Sequence, residues 1–374
     1  MVDLPQVDVA IAGGGPVGCA LALAVSGGAL SVTRVADSGD VADRPIALSH
    51  GSRLILERLG AWSPAASSAI ETVHVSQQGF GRTVMRCSDY GLPALGYVVT
   101  YSDLVRDLAA RTPAVSGTLE RWEPCGDAVV LQLSVNGEPA RMRARLLVLA
   151  DGGLNRDAAR VTDYRQHALV AEVQAEDPPR GTAWERFTQE GPLALLPFGD
   201  RFALIWSTSP PTAGELRGLT EPQFLLRLRE AFGGRLGSFL STGPRSSFPL
   251  SLRRSAIRPS PRVVAIGNAA QALHPVAGQG LNLGLRDAFE LARMLLDAPS
   301  EEIGSPRSLA RFARGRGLDR YAGIGFTDLL VRVFSNSVPP LALARGAGLA
   351  LLDVLPPARH FLARRMIFGA RALP

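Results

Sequence analysis

Residues 267–284 read Gly267-Asn268-Ala269-Ala270-Gln271-Ala272-Leu273-His274-Pro275-Val276-Ala277-Gly278-Gln279-Gly280-Leu281-Asn282-Leu283-Gly284. Two glycine-lined turns flank a proline there and open directly into an amphipathic helix, expected from Leu281 to about Asp297. Gly278 and Gly280 carry no Cβ, so a broad planar ligand can lie close against the backbone. The helix behind them aims unpaired N–H groups and the positive end of its dipole at that ligand, which favours negative charge. A reduced flavin, negatively charged along its pyrimidine edge, suits such a site. The blander reading is a loop ahead of a buried helix, and the rest of the chain decides between them.

Working outward, the N-terminal segment Val7-Asp8-Val9-Ala10-Ile11-Ala12 is a short apolar strand of the buried parallel kind. This strand, mostly apolar with Asp8 as its one charge, runs into Gly13-Gly14-Gly15-Pro16-Val17-Gly18 and then a helical stretch from Cys19 to Val25. Strand, GxGxxG turn and helix in this order form a dinucleotide fingerprint, with a pyrophosphate seated on the helix N-terminus. That assigns Gly13, Gly15, Pro16, Val17 and Gly18 to cofactor binding, and a fingerprint so near the N-terminus favours FAD. The fingerprint needs an acid about 20 residues on for the ribose. The second strand, Leu30–Ala36, ends at Asp37, which either reaches the ribose or caps a loop. A third buried strand, Ala144–Ala150, ends in Asp151-Gly152 at its carboxyl edge, where open α/β sheets bind ligands. A plain turn is the competing reading of that Asp-Gly pair.

With 374 residues, 46% hydrophobic and 20% charged, the chain suits a two-domain globular enzyme. Its net charge is +6, yet all 40 basic residues are arginine. The absence of lysine excludes a Walker A lysine and a Schiff-base lysine. No RNA-binding aromatic box or zinc spacing accompanies the arginines, so no nucleic-acid partner is expected. Cys19, Cys87 and Cys125 stand apart, which fits reduced intracellular thiols and neither a disulfide framework nor a metal site. Residues 9–25 are too glycine-interrupted for a signal peptide, and no basic segment precedes them. The apolar run from Val338 to Leu355 contains Pro339, Pro340, Arg345 and Asp353 and should not span a bilayer. A cytoplasmic protein is expected.

Taken together, the three segments resemble those of the class A flavoprotein aromatic hydroxylases. Within that class the chain is similar to the ubiquinone-biosynthesis hydroxylases, nearest to the 2-octaprenyl-6-methoxyphenol hydroxylase (UbiH) type. Further marks are Arg44-Pro45-Ile46-Ala47-Leu48-Ser49, Thr72-Val73-His74-Val75-Ser76, Glu185–Ala194, Phe232–Gly237 and Thr327-Asp328-Leu329-Leu330. The resemblance implies resident FAD, NADPH as a co-substrate that docks transiently, and transfer of one oxygen from O2 to a prenylated phenol. It places Arg44, Arg106, Gly267 and Asn268 at the FAD, and Gly278, Gln279, Gly280, Leu281 and Asn282 along the flavin's pyrimidine edge. Pro275 would shape the space in which oxygen reacts. His274 would relay a proton from the phenol or simply satisfy a turn. Three positions depart from the wider class. Asn268 replaces its aspartate, as the UbiH type does; Thr100 stands where a glutamate is common; and Ala36 occupies the place of the ribose-binding acid.

The expected fold is α/β, with a discontinuous Rossmann-like FAD-binding domain at 1–72, 96–163 and 252–298. An antiparallel β-sheet substrate domain is expected at 73–95 and 164–251, and a C-terminal helical region at 299–374. Strands are read at Thr72–Ser76, Leu169–Ala175, Ala183–Phe187 and Arg201–Ser207, and helices at Pro222–Phe232 and from Pro306 to about Phe334. The segment Phe361–Phe368 mixes arginine with bulky apolar residues and either packs back on the body or touches other biosynthetic proteins or the inner-membrane surface. Two alternatives stay open: a hydroxylase of the same fold with another aromatic substrate, and a flavin-poor structural subunit, suggested by Ala36.

Overall fold

Apart from Asp8 at its start, Val7–Ala12 is apolar on both faces, and it takes a central place in a parallel sheet. The computed structural model describes residues 2–37, 39, 43–152, 159–255, 261–272, 278–334 and 339–369. This first sheet contains β1 (Val2–Asp3), β2 (Val7–Ala12), β3 (Val32–Ala36), β9 (Ala114–Cys125), β10 (Ala128–Val135), β11 (Glu138–Leu149) and β18 (Val263–Ala265). Its parallel part runs β9-β3-β2-β11-β18. The later residues of β9 turn away to pair antiparallel with β10, which pairs in turn with β11.

The two faces of this sheet are covered differently. On one, α1 (Pro16–Ser26), α6 (Gln279–Asp297) and the start of α7 (Pro306–Phe334) press Leu21, Leu285, Leu291 and Phe312 onto Val9, Ile11, Leu146 and Val148. On the other, Val129, Leu131 and Leu133 of the β9–β11 meander lie on Ala10, Ala12, Leu147 and Leu149. A Rossmann sheet usually carries helices on both faces; here the second layer is β-structure.

The second sheet holds β6 (Thr72–Gln77), β7 (Arg82–Arg86), β12 (Ala159–Ala175), β13 (Thr182–Phe187), β14 (Pro192–Phe198), β15 (Arg201–Thr208), β16 (Phe239–Thr242), β17 (Ser246–Ser255) and β19 (Gln271–Ala272). Its order is β19-β17-β12-β15-β14-β13-β6-β7, with β16 beside β12. Leu169, Leu193, Leu195, Leu204 and Trp206 face α4 (Pro210–Gly218) and α5 (Glu221–Phe232), packing on Leu216, Phe224 and Leu228. Their strand neighbours point the other way, as a period of two demands, into open space. A short third sheet, β4 (Pro45–Ser49), β8 (Gly96–Thr100) and β5 (Ser67–Ile70), joins the two halves. The remaining described α-helices are α2 (His50–Arg58), α3 (Tyr101–Ala110), α8 (Pro339–Val354) and α9 (Pro356–Phe368).

The element boundaries show which sequence signals mislead. The helix expected from Leu281 starts at Gln279, and the strand expected from Leu169 starts ten residues earlier at Ala159. Strands β14 and β17 escaped the sequence reading because they carry Pro192, Pro197 and Pro249. Pro192 opens its strand, and Pro249 pairs with His167 where, among the described residues, β17 has no second neighbour. Proline costs no ladder bond at such places.

Candidate active site

The first and third glycine segments meet at one side chain, Val17. A Cβ at Gly267 would lie 3.1–3.4 Å from Val17, and one at Gly284 only 2.7 Å from it, so only glycine lets α6 and the 267 turn close onto α1. Gly18 seats α1 on the sheet, since a Cβ there would meet the Gly13 carbonyl oxygen at 2.9 Å. At Gly13 the backbone has φ +140°, and a Cβ would strike the Ala150 backbone at 2.7 Å. The Asp151-Gly152 turn abuts Asn268, with 3.2 Å between a Gly152 Cβ and that of Asn268.

Convergence leaves a cavity of about 1680 Å³, lined by Gly13, Gly14, Gly15, Pro16 and Val17 at one end and by Gly278, Gly280 and Leu281 nearby. Ordinary ligand pockets hold roughly 300–1,000 Å³, so this one has room for a dinucleotide and a second molecule. Both helix ends that border it lack side-chain caps: α1 begins after Gly15 and α6 after Gly278, which adopts φ +59°. Backbone N–H groups at helix ends of this kind favour an anionic acceptor. A Cβ at Gly280 would meet nothing within 4 Å, so its Cα faces ligand space. These features fit FAD, with its pyrophosphate at α1 and its pyrimidine edge at α6.

Of the other expected cofactor residues, Asp37, Arg44, Asp151, Gly152 and Asn268 line the cavity. Asn282 acts one step back. Its Oδ1 accepts from the Ser49 N–H at 2.8 Å and the Ser52 hydroxyl at 2.7 Å. Its Nδ2 donates to the carbonyls of Gly278 at 2.6 Å and Ala47 at 3.3 Å. That amide clamps the flavin-side turn to β4. Buried Gln279 donates to the Met366 carbonyl of α9 at 3.5 Å. Gly18 and Gly267 serve the packing just described, and Arg106 lies exposed in an ion pair with Asp103 on α3. His274 and Pro275 fall outside the described residues.

Sequence reasoning missed several groups. Arg34, a lone charge in an apolar strand, lines the cavity beside Ala36 and donates to the Thr112 carbonyl at 2.5 Å. Tyr101 borders the same end; its hydroxyl lies 3.7 Å from a Cβ placed on Gly15, and the Arg44 guanidinium sits 5.1 Å above its ring. Burial raises the Tyr101 pKa. Asp287, wholly buried, accepts from Arg316 Nε at 2.7 Å, Arg320 Nη2 at 3.2 Å, Gln271 Nε2 at 3.2 Å and the Gly267 N–H at 3.4 Å. It fixes the 267 turn to α6 and α7, and no local motif announces it.

The far wall of the cavity is the open face of the second sheet. Ala168, Ala183 and Ala194 project there, with Val170, Leu196 and Ile205. The space exists because alanines alternate with the leucines that fill the opposite face. Helices α8 and α9 roof it through Leu349, Leu352, Leu362 and Met366. Glu185, half-buried, is turned into this apolar chamber, and burial pushes its carboxyl up to about 7.

Among the described residues, no helix is long and apolar enough to cross a membrane and no cluster of His, Cys, Asp and Glu could hold a metal ion. A family model described as an FAD binding domain matches residues 123–316. The chain is 32% identical to ubiquinone hydroxylase UbiL of Rhodospirillum rubrum, over 96% of this chain and 88% of that protein. It is also 32% identical to 3-demethoxyubiquinol 3-hydroxylase of Escherichia coli, over 91% of this chain and 93% of that one. The crystal structure of p-nitrophenol 4-monooxygenase from Pseudomonas putida shares the fold, with a TM-score of 0.76 covering 99% of this chain and all of that one, at 17% identity. A glycine-built dinucleotide cradle opening onto an apolar chamber is what such relatives would require, and the chain belongs to the ubiquinone-biosynthesis family of class A FAD-dependent aromatic hydroxylases.

Proposed function

We propose that this protein hydroxylates the aromatic ring of a polyprenyl-methoxyphenol in ubiquinone biosynthesis, using FAD, NADPH and O2. One observation carries the reading: the flavin-binding turns and the alanine-lined sheet face border a single cavity. FAD, once bound, supplies the activation of oxygen, and the chain's residues position, enclose and charge-balance the reactants. The N–H groups opening α6 would stabilise negative charge on the reduced ring's pyrimidine edge. The N–H groups opening α1 would hold the pyrophosphate, with Arg34, Asp37 and Tyr101 around the adenosine end. Asp37 stands at the cavity rim and would take the ribose in place of the acid missing at Ala36. We assign the segments 1–72, 96–163 and 252–298 to FAD binding, the sheet segments 73–95 and 164–251 to the substrate, and 299–374 to the roof.

The phenol ring would lie against Ala168, Ala183 and Ala194, where the apolar wall excludes water from the reacting centre. Its prenyl tail would follow Leu349, Leu352 and Leu362 along the roof helices. The outer side of the same helices exposes Leu351, Val354 and Phe361, with the Arg365 guanidinium 4.3 Å above the Phe361 ring. Apolar residues interleaved with arginine suit an anionic bilayer surface, so a cytoplasmic protein seated peripherally at the inner membrane is the location we favour.

The test is direct. Purified protein should be yellow, and NADPH oxidation should be stimulated by a prenylated methoxyphenol with a product heavier by one oxygen atom. Protein that binds no flavin, or is indifferent to any prenylated phenol, would defeat the reading. In cells, loss of the gene should cause prenyl-methoxyphenol to accumulate.

A further inference from the structure

We propose that Glu185 receives the hydroxyl proton of the aromatic substrate. The inference rests on the substrate reading above and assigns a catalytic residue to that site.

Strand β13 lines the cavity with Ala183, Trp184, Glu185 and Phe187, and of these Trp184 also packs against the cluster on the opposite face. Ala183 packs in a cluster with Ala47, and Ala47 lies 3.3 Å from where a Gly278 Cβ would be. Phe187 packs on Leu349 of α8. Glu185 therefore stands on the wall between the flavin-side turn and the roof, about 7 Å along the strand from Ala183. A phenol lying across that wall brings its hydroxyl within reach of the carboxylate.

Nothing structural accounts for an acid at this place. Its cross-strand partners are Val75 on β6 and Ala194 on β14. Among the described residues its carboxyl makes no hydrogen bond or ion pair. Beyond those strands, among the described residues that line the cavity, β7 and β15 contribute Thr83 and Ser207 as their polar members, and β12 and β17 contribute Ala168, Val170, Phe248, Pro249 and Leu250, none of them ionisable. From the roof, Arg345 and Arg359 face the cavity. The Arg345 Nε donates to Gln77 at 3.1 Å and Arg359 Nη1 to the Asp353 carbonyl at 2.9 Å. Arg34, Asp37, Arg44, Tyr101 and Asp151 gather at the nucleotide end. Burial is accordingly the cause of the raised pKa of about 7, with no charged neighbour contributing. An acid left unpaired in apolar surroundings is costly, and its return is a base balanced between its two forms near neutral pH.

In the step itself, the phenol O–H bond breaks and an O–H bond to a Glu185 oxygen forms. The electron pair stays on the phenol oxygen, and nothing is oxidised or reduced. The resulting phenolate is richer in electrons at its ortho and para carbons, where an electrophilic oxygen adds. As the hydroxylated ring regains aromaticity, its ring hydrogen leaves to water as a proton. Glu185 then returns its own proton to the phenol oxygen and is a carboxylate again.

FAD-loaded wild type, Glu185→Gln and Glu185→Asp would be compared in two ways. Turnover of a short-chain prenylated 2-methoxyphenol should show, in wild type, a kcat/KM that falls below about pH 7, where Glu185 is protonated in the free enzyme. Glu185→Gln should lose that limb and fall roughly 100- to 10,000-fold in rate, and Glu185→Asp should recover part of the loss. Independently of turnover, the visible phenolate band of bound 4-nitrophenol should titrate with an inflection from Glu185 that vanishes in Glu185→Gln. FAD content should be unchanged and the melting temperature no lower than that of wild type. A Glu185→Gln enzyme with the wild-type pH profile and nitrophenol titration would overturn the assignment, whether its rate held or fell, and would leave the proposed function standing. Wild type that hydroxylates no phenol would instead remove the substrate reading beneath it.

Discussion

On the nucleotide side of the cavity, recognition is built from absent side chains: Gly13, Gly15, Gly278 and Gly280 bare the backbone, and two helix ends supply N–H groups. On the sheet side it is built from side chains chosen for size, with Ala168, Ala183 and Ala194 leaving room where leucine would fill it. The first wall must bring backbone close to a dinucleotide, so its geometry admits few solutions. The second wall can change by a methyl group at a time and still fold. One molecule thus separates a fixed cofactor cradle from an adjustable chamber.

The largest effect should come from the network behind the first wall. Asp287→Ala strips the partner from Arg316 and Arg320 and releases the Gly267 turn. Removing one member of a buried ion cluster costs about 3–5 kcal/mol. Urea denaturation should show that loss, accompanied by loss of bound FAD. A variant that retains its flavin and its midpoint would mean that Val17 packing alone holds the turn.

Two substitutions then set the walls against each other. Gly280→Val adds atoms into ligand space, where a Cβ meets nothing, so the apoprotein should fold normally. FAD affinity should fall at least about 100-fold, or roughly 3 kcal/mol. Ala194→Leu should do the reverse, leaving flavin content intact while raising the KM for a prenylated phenol by roughly 10-fold or more. Should Gly280→Val spare FAD, or Ala194→Leu expel it, the division of labour between the walls is wrong.

The same contrast governs what could be read in the sequence. The glycine turns were legible because a close approach of backbone to ligand admits one residue type, and three such turns in order are hard to obtain otherwise. Positive φ at Gly13 and Gly278, and the crowding of Gly267 and Gly284 on Val17, are the structural form of that signal. The sheet wall was only half legible. Alternation marked β13 and β15, but Pro192, Pro197 and Pro249 hid β14 and β17. Asp287 and Arg316, 29 residues apart, become partners only once α6 and α7 pack. Glu185 was visible as a mark of the family, yet its isolation depends on Val75 and Ala194 from other strands.

A smaller effect should sharpen the reading of the ribose site. If Asp37 replaces the acid absent at Ala36, then Asp37→Ala should weaken FAD binding by roughly 10-fold, the worth of one hydrogen bond to a charged group. Ala36→Glu should then improve retention little in wild type but rescue the Asp37→Ala variant. Equal FAD affinity in wild type and Asp37→Ala, measured by flavin fluorescence, would leave the ribose to Arg34 and backbone groups.

The subtlest expectation contrasts the two faces of the substrate sheet. His74 lies on the face turned from the cavity, with its Nε2 2.7 Å from Arg235 and its ring 4.7 Å from that of Trp184. Burial first, and the Arg235 charge second, lower its pKa from 6.5 to about 4. The fold therefore prefers neutral His74. Its contribution to stability is complete above pH 6.5, declines as the unfolded chain takes up a proton, and is gone once pH has fallen through 4. Glu185, on the opposite face, behaves in the reverse sense. With its pKa raised from 4.5 to about 7, its neutral form stabilises the fold below pH 4.5, and that advantage is lost as pH rises through 7. Between pH 6.5 and 5, wild type should lose roughly 1 kcal/mol relative to His74→Gln, whose amide can still accept from Arg235 but takes up no proton. Glu185→Gln should instead gain on wild type as pH rises from 5 to 8, by roughly 1–3 kcal/mol. Urea midpoints of the flavin-free proteins across this range would separate the two. Parallel curves for wild type and Glu185→Gln would mean that cavity water solvates the carboxylate, and that the sheet's open face is less dry than its alanines and valines imply.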